Sequence, residues 1–222
     1  MRKERNIILQ HFTGKLRPLD KLSIENIKSY AKRIGVEYQF IDGQVFRDHL
    51  TPPCQKVHIL AEKWDDYDNV LMLDIDMFVT RNLMVNVFND NGVGLGTGPT
   101  QIRLKERLIE WGRIDQNTGY WGGAFYKLNH HQRTTLRAAM PKDDSWMDLY
   151  NESYKYEDEG IISELFYKSG CEWSNAHPKW QQDSFLPSHE PGMIHVRTKI
   201  TPQGPKREKI ENFYAMQMAG II

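Results

Sequence analysis

Val70-Leu71-Met72-Leu73 is an unbroken apolar run that ends directly in Asp74-Ile75-Asp76. A run this short and this apolar suits a central strand of a sheet covered on both faces. Two carboxylates one residue apart cannot follow it into a dry core without a cation, because burying an isolated ionised group is expensive. The two carboxylates are therefore expected at the end of the Val70–Leu73 strand, and in an open α/β sheet the carboxyl ends of the strands border the ligand crevice.

The flanking sequence supplies the rest of such a sheet. Asn6–Gln10, with Ile7, Ile8 and Leu9, reads as a first buried strand. Ser23 reads as the N-cap of a helix whose Ile24, Ile27, Tyr30, Ala31 and Ile34 share one face, and Gly35 is placed to stop it. Val36–Ile41 then reads as a second strand, so strand, helix, strand forms a parallel crossover unit. Further along, the pattern predicts helices over Lys56–Trp64 and from Leu104 toward Trp111. It predicts strand segments within Gly92–Pro99 and Gly119–Tyr126, and a helix capped by Asn129. Lys142–Lys155 reads as irregular or lid-like, Ile161–Tyr167 as a helix ending near Gly170, Cys171–Ser174 and Met193–Val196 as short strands, and Glu208–Met218 as a terminal helix. The expected fold is a single α/β domain over residues 1–222, with a mixed, largely parallel sheet flanked by helices and residues 200–222 as a C-terminal extension packed on it.

Composition narrows the function. Twenty-nine Lys plus Arg balance 29 Asp plus Glu, which disfavours a nucleic-acid partner on bulk charge. Cys54 and Cys171 are far apart and form no CxxC, which speaks against a clustered cysteine zinc site and for a reducing, cytoplasmic setting. The first residues lack the apolar core and cleavage site of a secretory signal, and no apolar run approaches the roughly 20 residues of a membrane span. Peripheral membrane association stays open.

Asp74 and Asp76 offer hard oxygen ligands suited to Mn²⁺, or alternatively Mg²⁺, carrying phosphate oxygens. The plainer alternative is a solvated strand terminus. Attachment to so apolar a strand favours the metal, and His195 would complete an O,O,N set. His130-His131 is a weaker candidate, since adjacent helix residues do not face one another. His177 and His189 read as ordinary loop histidines, with a place in the acceptor site as the alternative.

The order Leu73-Asp74-Ile75-Asp76, Asn117-Thr118-Gly119, Asp158-Glu159, Ile194-His195 resembles the nucleotide-sugar glycosyltransferases of the GT-A fold. The nearest group is the retaining one related to glycogenin and bacterial galactosyltransferases, and there is a general similarity to glycosyltransferase domains of large algal viruses. The resemblance spans Ile7 through Arg197. It implies that Asp74, Asp76 and His195 hold Mn²⁺ against the donor diphosphate, that Asn117 and Gly119 meet the transferred sugar, and that Gln10, His11 and Thr13 lie where relatives place the nucleoside. The resemblance favours uridine, while these residues alone do not distinguish it from guanosine. Asp42, ending the second strand, is a further nucleoside candidate. Of Arg197 and Lys199, one rather than both is expected to offset diphosphate charge as the donor bond breaks, the other being a solvated surface group.

Asp158 and Glu159 open a helix, so capping competes with function at these positions. In the functional reading Asp158 binds sugar hydroxyls, while Glu159 stabilises the cationic transition state, acts as nucleophile, or removes the acceptor proton in an inverting enzyme. Retention is an inference from the resemblance. Two departures bear on it: Asp158-Glu159-Gly160 stands where relatives carry D-Q-D, and Ile194-His195 lacks the usual Gly-x-x-Lys-Pro-Trp continuation. Trp111, Trp121, Trp146, Trp173 and Trp180 are candidate sugar platforms. The expected activity is transfer of a hexose or deoxyhexose from a nucleoside diphosphate sugar to a carbohydrate hydroxyl. The alternatives are a sugar nucleotidyltransferase, for which Gln10–Lys15 is a poor nucleotide loop, and a noncatalytic carbohydrate-binding protein, which leaves the Asp74-Asp76 placement without a purpose.

Overall fold

A computed structural model describes residues 2–81, 83–95, 99–142, 157–180, 192–198 and 208–222. Its main sheet has the order β2-β1-β3-β5, built from β1 (Asn6–Phe12), β2 (Glu37–Asp42), β3 (Asn69–Asp74) and β5 (Phe125–Asn129). β1 pairs in parallel with both β2 and β3, and β5 runs antiparallel on β3. A second, two-stranded sheet joins β4 (Met77–Val79) to β6 (Met193–His195) in antiparallel register, with Met77 opposite His195.

Side-chain alternation explains why the sheet is covered twice. Ile7, Leu9, Val70 and Met72 point into a core with Val57, Leu60, Trp121, Ile162 and Phe166, while Ile8, Leu71 and Leu73 point the other way, onto Ile27, Tyr30 and Ala31. The second group lies on α1 (Pro18–Ile34), the crossover helix between β1 and β2. A third cluster packs Phe78, Ile194 and Val196 of the β4–β6 ribbon against Phe213 and Met216 of α5 (Lys209–Met218). The other helices are α2 (Pro99–Glu110), α3 (His130–Ala139) and α4 (Asp158–Ser169).

Several local expectations are corrected. Pro18, whose ring presets a helical φ and whose missing N–H is no loss at a first turn, starts α1 earlier than Ser23. Ser23 is buried inside the helix, where its hydroxyl donates to the Met77 carbonyl at 2.6 Å and accepts from Gln10 Nε2 at 2.9 Å. The expected helix over Lys56–Trp64 is two 3₁₀ segments, Pro52–Leu60 and Glu62–Trp64, begun by the proline pair and split at Ala61, whose backbone is extended. Within Gly92–Pro99 a single bridge pairs Gly94 with Asn175, and residues 96–98 lie outside the described set. Residues 119–124 are irregular, because β5 begins only at Phe125 and Trp121 folds back against Gly119, where a Cβ would come within 2.2 Å of the indole. Cys171–Ser174 forms no strand. The irregular or lid-like segment expected over Lys142–Lys155 falls almost wholly outside the described residues, which stop at 142 and resume at 157. Both cysteines are buried free thiols.

Candidate active site

The end of β3 puts Asp74 at the sheet's carboxyl edge, and the turn at Ile75-Asp76 carries the chain into β4. Because β4 pairs with β6, His195 is delivered from far along the sequence to face that turn. Its Nε2 lies 3.0 Å from Asp76 Oδ1 and 3.9 Å from Asp74 Oδ2. One ligand atom from each of Asp74, Asp76 and His195 falls within 4.8 Å of the other two. Among the described residues this is the one such His/Cys/Asp/Glu group, and its O,O,N donor chemistry fits Mn²⁺ or another hard divalent cation.

Two ammonium groups reach the same carboxylates. Lys56 Nζ donates to Asp74 Oδ1 at 2.8 Å and to the Gly123 carbonyl at 2.6 Å, and pairs with Asp158 Oδ2 at 3.0 Å. Lys209 Nζ, from the first residue of α5, pairs with Asp76 Oδ2. Burial would raise the Asp76 carboxyl, but His195 and Lys209 outweigh it and hold Asp76 well below the usual carboxylate range. Burial likewise opposes the Lys56 charge, yet Asp158 and Asp74 hold that ammonium above its ordinary value. Arg197 Nε lies 3.3 Å from His195 Nδ1, and Nε2 is the nitrogen turned toward the two aspartates.

Asp158 and Glu159 occupy the first turn of α4, where the helix dipole favours carboxylates. Glu159 Oε1 accepts from the Gly123 N–H at 2.8 Å. Gly123 has no room for a side chain, since a Cβ would lie 2.5 Å from Asp158 Oδ2 and 2.7 Å from Lys56 Nζ. Burial, with the adjacent Asp158 charge, pushes Glu159 up to about 7. Burial also raises Asp158 even with Lys56 beside it, and Asp74 adds to the rise.

These groups line one cleft of about 320 Å³. Of the residues expected from sequence, it brings together His11, Thr13, Asp74, Asp76, Asp158, Glu159, His195 and Arg197. His11 Nε2 donates to the Gly43 carbonyl at 2.7 Å, an acceptor that Thr13 shares at 3.2 Å, and burial lowers the imidazole's pKa. Gln10 is buried behind the lining, where its amide donates to the Asp74 carbonyl at 3.1 Å and accepts from Tyr38. Asp42 is exposed at the end of β2, and Asn117 sits in an exposed turn closed by Asp115; neither lines the cleft, and nor does Gly119 beneath Trp121. Lys199 lies outside the described residues, as do Trp146 and His189. Trp121 and Trp180 belong to the core, Trp111 is half-buried, and Trp173 is partly exposed, edge-on to Trp121. His130, His131 and His177 are exposed.

Sequence reasoning missed Lys56, Lys209, Arg17, Pro52, Pro53 and Glu157, all part of the lining. Only Lys56 carried a local signal, a lone charge among Cys54, Val57, Ile59 and Leu60.

No family model and no curated protein matches this chain. Solved structures do. The galactosyltransferase LgtC, in complex with donor and acceptor sugar analogues, superposes with a TM-score of 0.58 at 11% identity, over 96% of this chain and 94% of that one. The fold is that of the GT-A glycosyltransferases. A glycosyltransferase involved in glycosylation of the major capsid of PBCV-1 gives a TM-score of 0.56 at 12% identity, over 96% of this chain and 99% of its own. An active-site mutant of LgtC gives 0.55 at 11% identity, covering 97% and 96%. In this fold the cleft occupies the carboxyl edge of β1 and β3, the expected crevice of an open α/β sheet. No helix among the described residues is long and apolar enough to cross a membrane.

Proposed function

We propose that this protein is a metal-dependent glycosyltransferase. It transfers a hexose or deoxyhexose from a nucleoside diphosphate sugar, UDP-linked, to a carbohydrate hydroxyl, with retention of anomeric configuration. The observation that carries this reading is the convergence of Asp74, Asp76 and His195 beside the carboxylates of α4 in one cleft on a GT-A fold. Mn²⁺ held by those three residues would neutralise the diphosphate and assist departure of the nucleotide.

The chain's own residues then divide the work. His11 and Thr13, at the end of β1, face the nucleoside. Arg197, the one of the pair Arg197 and Lys199 that lines the cleft among the described residues, offsets phosphate charge. Asp158 binds sugar hydroxyls, and Glu159 faces the reacting carbon. Gln10 acts through packing, by fixing the main chain of Asp74. Asp42 and Asn117, which do not line the cleft, have no part in this division.

Calorimetry with UDP and Mn²⁺ tests the cluster. Asp76→Ala should abolish metal-dependent binding, because a carboxylate supplies both ligand and charge. His195→Ala should weaken it less, because an imidazole supplies a neutral ligand. Unchanged binding in both folded variants would reject the reading. A nucleotide-sugar hydrolysis panel identifies the donor, and NMR of the product's anomeric configuration decides retention.

A further inference from the structure

Lys209 stands at a position that helix energetics disfavours. It is the first residue of α5, where the helix dipole repels a cation, and its neighbours Glu208 and Glu211 form the capping box expected there. The helix does not depend on it for docking. Phe213 and Met216 pack on Phe78, Ile194 and Val196, and Asn212 Nδ2 donates to the Arg197 carbonyl at 2.6 Å. What Lys209 does reach is Asp76, whose other oxygen faces His195 at 3.0 Å. Asp76 is only 4% exposed, so its two oxygens are divided between an ammonium and an imidazole.

We propose that Lys209 is an exchangeable stand-in for the metal: its ammonium competes with a divalent cation for Asp76 and, once displaced, turns to the diphosphate that the cation carries. This rests on the metal reading of Asp74, Asp76 and His195. Charge explains the exchange. A dication offsets the Asp76 carboxylate more fully than a single ammonium does, and the incoming phosphates bring new negative charge to a cleft that Lys209 already lines. Coupling of this kind ties metal uptake to donor uptake, since the lysine opposes the first and favours the second.

The test is titration of Mn²⁺ alone, and then of UDP at saturating Mn²⁺, followed by calorimetry and by the electron paramagnetic resonance signal of free Mn²⁺. With the competing ammonium gone, Lys209→Met should bind Mn²⁺ alone about 3- to 10-fold more tightly than wild type. The same variant should bind UDP with Mn²⁺ about 10-fold more weakly, having lost a charge-assisted contact. Lys209→Arg, which keeps the charge, should stay near wild type in both. Lys209→Gln provides the same comparison should Met unsettle α5, and thermal melts confirm folding. Unchanged or weaker Mn²⁺ binding by Lys209→Met overturns the exchange. If Asp76→Asn still loses Mn²⁺ in that case, the metal site stands without it. If wild type and Asp76→Asn bind Mn²⁺ indistinguishably, the metal reading fails and the exchange with it.

Discussion

Lys56 joins the two halves of the cleft. Its ammonium lies between Asp74 at the end of β3 and Asp158 at the start of α4, with the Gly123 carbonyl completing its contacts. Removing the charge would strand two carboxylates, one of them almost fully buried, so Lys56→Met should lower stability by about 3–5 kcal/mol. Urea denaturation measures this, and a loss below about 1 kcal/mol, in the range of a surface ion pair, would mean that Asp158 takes up a proton and needs no partner. Glu159 is the other residue whose charge matters. If it acts on the reacting carbon, Glu159→Gln should keep UDP affinity and lower kcat by about 10²-fold or more. Because burial and Asp158 raise this carboxyl to about 7, wild-type kcat should show an inflection in the neutral range that the Gln variant lacks. Wild-type turnover by a folded Glu159→Gln would remove it from the chemistry. Neither charge could be weighed from sequence alone, since Lys56 and its carboxylate partners lie 18 residues apart or further.

Elements divide according to how local their signals are. Asn129 accepts from the Gln132 N–H at 2.8 Å while Gln132 returns a bond to the Asn129 N–H at 3.0 Å, so α3 starts where its cap was legible. Gly170 ends α4 in the left-handed region at φ 62°, as a helix-stopping glycine should. Asn129→Ala should cost about 1 kcal/mol, a fall in Tm of about 2–4 °C for a chain of this size, read by thermal unfolding. No change would show that the Gln132 bond to the Glu172 carbonyl holds the helix start by itself. The 3₁₀ segment Pro52–Leu60 and the β4–β6 ribbon were less legible. A proline-led apolar stretch reads equally well as an α-helix, and a three-residue strand such as Met77–Val79 is too short for alternation to register.

Over the whole molecule, the buried charges give stability a signed dependence on pH. The Glu159 carboxyl sits at about 7 in the fold against an ordinary 4.5, so the folded state holds the extra proton between those values. Its contribution is complete below about 4.5 and lost as pH rises through about 7. Lys127 runs the other way: burial lowers it to about 8 from 10.5, so the unfolded chain binds the extra proton and stability rises with pH across that window. Denaturant midpoints across pH for wild type, Glu159→Gln and Lys127→Met should show the first slope vanish in one variant and the second in the other. Parallel curves would mean that neither group keeps a shifted proton affinity in the fold. The sequence by itself determined the crossover β1-α1-β2, the central strand β3 and the emergence of Asp74 and Asp76 at its carboxyl end, because apolar runs, proline and glycine stops and caps act within a few residues of themselves. Tertiary structure alone decided that His195 meets Asp76, that Lys56 bridges Asp74 and Asp158, that Lys209 reaches the other oxygen of Asp76, and that Asn117 stays outside the cleft lining. Each of those depends on which distant segments share a sheet edge or a packed face, and a chain pattern with a period of two or 3.6 residues holds no record of that.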